Sequence, residues 1–158
     1  MDDNDIQHLR RCVELAAEAL DAGDEPFGSL LTGPDGTVLM EDRNRVGGGD
    51  STRHPEFELA RWAAENQSAT DRSSSTVYTS GEHCPMCSAA HAWVGLGRIV
   101  YAASSAQLTQ WLTELGVPPS PVAALSINEV APGIETDGPA PSLAGDVHAL
   151  HVRFRSGG

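Results

Sequence analysis

The chain has 158 residues, 40% of them hydrophobic, and 22 acidic against 10 basic side chains give a formal net charge of −12. That length suits one domain with a proper core, expected over 1–158, and that charge opposes a nucleic-acid partner, whose phosphates are gripped by Lys and Arg. No apolar run approaches the roughly 20 residues that cross a bilayer, the start Met1-Asp2-Asp3-Asn4-Asp5 is acidic where a signal peptide is basic, and three cysteines imply no disulfide framework. A cytoplasmic location is the expectation.

Ile6, Leu9, Val13, Ala16 and Leu20 recur at helical spacing, which predicts a helix over 4–22, with Cys12 as a packing residue. Ser29-Leu30-Leu31 and Val38-Leu39-Met40 flank the turn Gly33-Pro34-Asp35-Gly36 and read as a hairpin. Residues 43–50 form a loop. Its Gly47-Gly48-Gly49 is not followed by Gly-Lys-Ser/Thr and reads as a flexible turn, not a phosphate cradle. Ser51-Thr52 offers capping chemistry for a second helix running to about Asn66, with Pro55 in its first turn. A polar linker over 67–75 precedes a buried strand at 76–80. Pro85 opens a third helix to about Leu96, a strand covers 98–102, and another helix covers 105–115. The prolines at 118, 119 and 121 break the pattern. Leu125–Val130 is expected as a last strand, 132–141 as irregular, and 143–154 as a terminal helix bearing His148 and His151 on its surface. His8 is likewise expected at the surface. The order suggests a three-layer α/β/α sandwich with a central mixed sheet.

Two short motifs carry the chemistry. Cys84 and Cys87, in Cys84-Pro85-Met86-Cys87, have the spacing of two thiolates on one metal ion, and His54 supplies a third ligand. Three protein ligands leave one zinc position open for water, the catalytic rather than the structural pattern. Glu56, two residues past the histidine, is placed to carry protons without binding the metal. Each motif lies at the start of a helix, so two positive helix ends face one centre.

H-x-E followed by P-C-x-x-C marks the zinc nucleobase deaminases, and the chain resembles the cytidine deaminase-like superfamily over roughly residues 5–115. Within it, the chain is similar to the free-base branch of guanine and fungal-type cytosine deaminases. The resemblance implies one Zn²⁺ per chain, a small nucleobase or amino-heterocycle as substrate, release of ammonia, and a homodimer. It makes Asn44, Phe27 and Trp93 substrate-binding residues, although Asn44 also suits a turn, and Phe27 and Trp93 also suit packing. The segment 132–158 is expected to pack over a site.

Two positions depart from the family pattern. Pro55 stands where relatives have a residue whose backbone N–H binds substrate, and proline has none. His83 stands where proline precedes the first cysteine. It can touch substrate, close the metal site or simply lie behind it. No acidic residue follows the strand ending near Tyr101, and Glu129 or Glu114 is the substitute. His91 suits packing or the pocket wall. Other readings stay open: a tRNA-adenosine or nucleoside deaminase, a thioredoxin-like Cys-x-x-Cys oxidoreductase, and a structural zinc module with His83 as fourth ligand.

Overall fold

The structure is a computed structural model that describes residues 1–157. In chain order its elements are α1 (Asp3–Asp21), β1 (Gly28–Thr32), β2 (Val38–Arg43), a 3₁₀ turn (Val46–Gly48), α2 (Pro55–Asn66), α3 (Ala69–Ser73), β3 (Thr76–Gly81), α4 (Pro85–Trp93), β4 (Ile99–Ala103), α5 (Ser105–Glu114), α6 (Ile127–Val130), β5 (Thr136–Asp137) and α7 (Pro141–Arg155). The strands lie in the order β2-β1-β3-β4-β5. β1 is antiparallel to both β2 and β3, and β3, β4 and β5 run parallel. This is the mixed α/β sheet expected.

Side-chain alternation along β1 and β3 sorts the layers. Leu30 and Tyr78 point to one face and pack with Leu9 and Cys12 of α1, with Leu143 and Val147 of α7, and with Val100 and Ala102 of β4. Leu31 and Val77 point to the other face, where Leu59, Ala60 and Ala63 of α2 cover them. Ser29 and Thr79 share that second face. β1 is buried along its whole length because helices cover both of its sides. Gly28 lets β1 enter against α1: a Cβ there would come within 2.5 Å of the Cys12 carbonyl and 2.7 Å of the Ala16 nitrogen.

Four expectations need correcting. Leu125–Val130 is not a strand. Ser126 accepts from the Glu129 N–H while the Glu129 carboxylate accepts from the Ser126 N–H, and this reciprocal cap winds Ile127–Val130 into α6. The region expected to be irregular supplies β5, held as an edge by pairs Ile99↔Thr136 and Val100↔Asp137. The polar linker holds the single-turn α3, capped by Ser68. α2 begins at Pro55 rather than near Ser51, with His54 as its N-cap.

His8 and His148 are half-buried against aromatic rings, 4.7 Å from Tyr78 and 4.7 Å from Trp111 respectively. His151 is 2% exposed and so is not a surface residue.

At the other end of the sheet, Asp5 ties α1 to β3 and β4. It is 5% exposed and accepts from Tyr78 Oη at 2.8 Å and from both Arg98 Nη atoms at 2.9 and 3.0 Å. Burial alone would raise its carboxyl, but Arg98, the Asp2 N–H and Tyr78 outweigh it and hold the group well below the usual carboxylate range. A depressed folded carboxyl adds stability above its unfolded value of about 3.9, and that stability is lost as pH falls toward the folded value. Asp5→Asn is expected to cost about 3 kcal/mol in urea unfolding at pH 7, with the gap to wild type shrinking below about pH 4. An equal gap at pH 7 and pH 3 would exclude this linkage.

Candidate active site

The candidate metal ligands are held by two matching chain segments. His54 is the N-cap of α2 and Pro55 its first residue; Cys84 is the N-cap of α4 and Pro85 its first residue. Proline pushes the residue before it into the extended region, which is the backbone an N-cap needs. His54 (φ −86°, ψ 139°) and Cys84 (φ −68°, ψ 168°) both adopt it. Neither side chain caps its own helix, so both are left to project from the helix starts. Cys87 follows Cys84 by one turn on the same side of α4.

The ligand atoms of His54, Cys84 and Cys87 lie within 4.8 Å of one another. His54 Nδ1 is 3.5 Å from Cys84 Sγ and 3.6 Å from Cys87 Sγ. Zinc bonds of about 2.3 Å to sulfur and about 2.05 Å to nitrogen at a tetrahedral angle span about 3.6 Å. The donors, two sulfurs and an imidazole, are also those zinc prefers. The residues present therefore fit one zinc ion. The Cys87 thiol and His54 draw Cys84 down to about 4, the Cys84 thiolate raises His54 to about 9, and the same contact with Cys84, with burial, pushes Cys87 up. Metal ligation calls for the thiolate forms of the cysteines and the neutral imidazole of His54.

Glu56 is the second residue of α2, 6% exposed, and not one of the three grouped ligands. Its Oε1 accepts from Ser29 Oγ at 2.9 Å and Thr79 Oγ1 at 3.1 Å. Burial raises its carboxyl, opposed by the positive charge on His54. Sequence reading missed Ser29 and Thr79, because a hydroxyl in a buried strand carries no motif. The signal available was alternation: both share a face with Leu31 and Val77, toward α2.

Asn44 is 2% exposed. Its N–H donates to the Phe27 carbonyl and its Oδ1 accepts from the Val46 N–H at 2.9 Å, which leaves Nδ2 as the end it can offer a ligand. Asp24 steadies this loop by accepting from Arg43 and from the Gly47 N–H. Phe27 lies over Gly81 at the end of β3, where a Cβ would meet its ring at 3.1 Å. Its other side meets His151 of α7, with ring centroids 5.1 Å apart.

Four sequence-predicted site residues are not brought to this group. Trp93 is the last residue of α4 and 87% exposed. Six residues past Cys87 place it about 9 Å along the helix and about 240° around it, so within this chain it faces solvent. Glu129 is exposed and spent on capping α6. Glu114 is exposed at the end of α5, accepting from Gln110. His83 is 1% exposed and packs edge-on against His91 at 5.5 Å, and burial keeps it neutral. It does not join the ligand group as a fourth member. His91 is also buried, and its Nε2 meets the Gly97 carbonyl at 2.7 Å.

Residues 2–103 match the family described as the cytidine and deoxycytidylate deaminase zinc-binding region, and the chain belongs to that family. It is accordingly a hydrolytic deaminase acting on a C–N bond. It is 31% identical over 116 residues to a probable cytosine deaminase of Schizosaccharomyces pombe, covering 73% of this chain and 70% of that protein. It is 37% identical over 97 residues to the guanine deaminase of Bacillus subtilis, covering 60% and 62% respectively. The solved guanine deaminase of Nitrosomonas europaea superposes with a TM-score of 0.67 over 94% of this chain and 83% of that one, at 23% identity, a likeness of fold. Family membership removes the thioredoxin-like alternative.

Glu82 anchors the turn that carries Cys84. One carboxylate oxygen accepts from the Ser105 N–H at 2.9 Å and the other from the Ile127 N–H at 2.8 Å, satisfying the first residues of α5 and α6. Glu82→Ala is expected to destabilise the fold by about 3 kcal/mol, and Glu82→Gln by less, in urea unfolding at pH 7. Equal stability of both variants with wild type would remove this anchoring role.

Proposed function

We propose that the protein is a zinc-dependent deaminase of a free nucleobase or related amino-heterocycle, with one zinc ion held by His54, Cys84 and Cys87. The observation that carries the reading is the 3.5 and 3.6 Å spacing of the imidazole nitrogen from the two sulfurs, beside a buried carboxylate that is not a ligand. A zinc ion bound there supplies Lewis acidity and a more acidic water.

The chain's own residues do the rest. Glu56 takes one proton from water and passes it to a ring nitrogen as the water oxygen bonds to the carbon, and then carries the second water proton to the departing amine. One water is consumed and one ammonia leaves as the exocyclic C–N bond breaks. Asn44 Nδ2 donates to the ring and Phe27 forms one wall. Pro55, buried at the start of α2, offers no N–H toward substrate. Its benefit is the preset N-cap at His54; its cost falls on substrates that need that donor, by roughly ten- to a hundredfold in binding.

The names of the relatives, cytosine deaminase and guanine deaminase, support a free base, and the net charge of −12 weighs against RNA. Among the described residues no helix is long and apolar enough to cross a membrane, and we place the enzyme in the cytoplasm. We read the chain as one domain that works as a homodimer, with exposed Trp93 suited to contact with a second copy. The segment 132–158, of which 132–157 are described, forms part of the site wall: His151 touches Phe27, and Arg155 pairs with Glu25 at 3.9 Å.

Metal analysis is expected to give one zinc per chain, lost on His54→Ala. Glu56→Gln should keep zinc and fold but lose about 10²–10⁴ in turnover; near-normal turnover would show that another group moves the proton. An ammonia-release panel of guanine, cytosine, adenine, their nucleosides and amino-triazines should favour a free ring. A nucleoside or a tRNA anticodon loop with the highest kcat/KM would overturn the substrate assignment. Truncation before Pro132 should abolish activity, and full activity of that form would remove the segment from the site.

A further inference from the structure

We propose that Ser29 and Thr79 are positioning residues that clamp Oε1 of Glu56 between two strands and leave Oε2 as the oxygen that meets the reacting atoms. This rests on the reading of Glu56 as the proton carrier.

Ser29 and Thr79 sit directly opposite each other in the antiparallel β1–β3 ladder. Directly opposed side chains have Cβ atoms about 4.5–5.5 Å apart, so two short hydroxyls can meet, and they do, at 2.9 Å. Glu56 Oε1 closes the triangle at 2.9 and 3.1 Å. Thr79 Oγ1 also lies 2.8 Å from the Gly81 carbonyl, an alternative acceptor for its single proton.

Both hydroxyl residues are 0% exposed. Water cannot replace a lost partner there, so each contact is worth more than its counterpart at the surface. A hydroxyl donates or accepts by turning, without moving its oxygen. The pair can therefore hold Oε1 in one place throughout the proton transfers that the reaction asks of Glu56. α2 alone does not fix the carboxylate, since a glutamate side chain has three rotatable bonds. The ladder supplies the constraint that the helix lacks, and preorganisation of this kind acts on the chemical step more than on substrate binding.

The test compares Ser29→Ala, Thr79→Val and the double variant with Ser29→Thr, Thr79→Ser and Glu56→Gln, using the best free base from the ammonia-release panel. Each deletion is expected to lower kcat about tenfold to a hundredfold with KM changed less than about threefold. Bound zinc should stay at the wild-type level, and each hydroxyl-retaining exchange should restore most of kcat. Crystal structures of the metal-free deletion variants should show the Glu56 carboxylate displaced or split between rotamers. Three results would overturn the proposal: wild-type kcat in both deletions, a rise in KM at constant kcat, or an unmoved carboxylate. If Glu56→Gln is inactive while both deletions are fully active, the clamp fails and the proton-carrier reading stands. If Glu56→Gln is itself active, that reading fails and the clamp with it.

Discussion

The starts of α2 and α4 meet over the ends of β1 and β3, and the arrangement of the site follows from that meeting. His54 and Cys84 are both N-caps followed by proline. Each side chain leaves its helix at the point where backbone N–H groups are unpaired and the helix field is positive. Cys87, one turn into α4, and Glu56, one residue into α2, then need no special conformation to reach the same place. The sheet contributes by holding the two helices at a fixed separation through Leu31 and Val77, which pack against Leu59 and its neighbours.

Around this meeting the chain uses acidic side chains as ties. Asp24 gathers the loop that presents Asn44, and Glu82 gathers the first turns of α5 and α6 behind Cys84. Asp5, at the opposite end of the sheet, fastens α1 to Tyr78 and Arg98. Part of the strong acidity of the sequence is thus structural. These carboxylates face backbone N–H groups or arginines inside the molecule, and what they leave to the surface still opposes a polyanionic partner.

Much of this was legible in the residues. The His54–Glu56 and Cys84–Cys87 spacings point to three side chains that the fold groups within 4.8 Å of one another, and apolar periodicity locates α1, α7 and the buried strands to within a few residues. What failed did so for identifiable reasons. Leu125–Val130 looked like a strand because its apolar residues are few and spaced; the Ser126–Glu129 capping pair was the stronger signal. β5 is two residues long and exists because Ile99 and Val100 offer it a ladder, which no local pattern reveals. The resemblance makes Trp93 a substrate residue, whereas its position around α4 leaves it 87% exposed within this chain. His151 seemed a surface residue on an amphipathic helix until Phe27 and Trp111 closed over it.

The placement of the three tryptophans has a practical consequence. Trp62 and Trp111 are half-buried, one against the α2 core and the other stacked on His148, while Trp93 stands in water at the far end of α4. Its indole is therefore the most solvent-relaxed fluorophore of the chain, and its emission lies to the red of the other two. A blue shift confined to that component on raising the protein concentration would register coverage of this helix end. Trp93 is thus an optical probe of the exposed end of α4, and replacing it with phenylalanine erases that probe without changing His54, Glu56 or either cysteine.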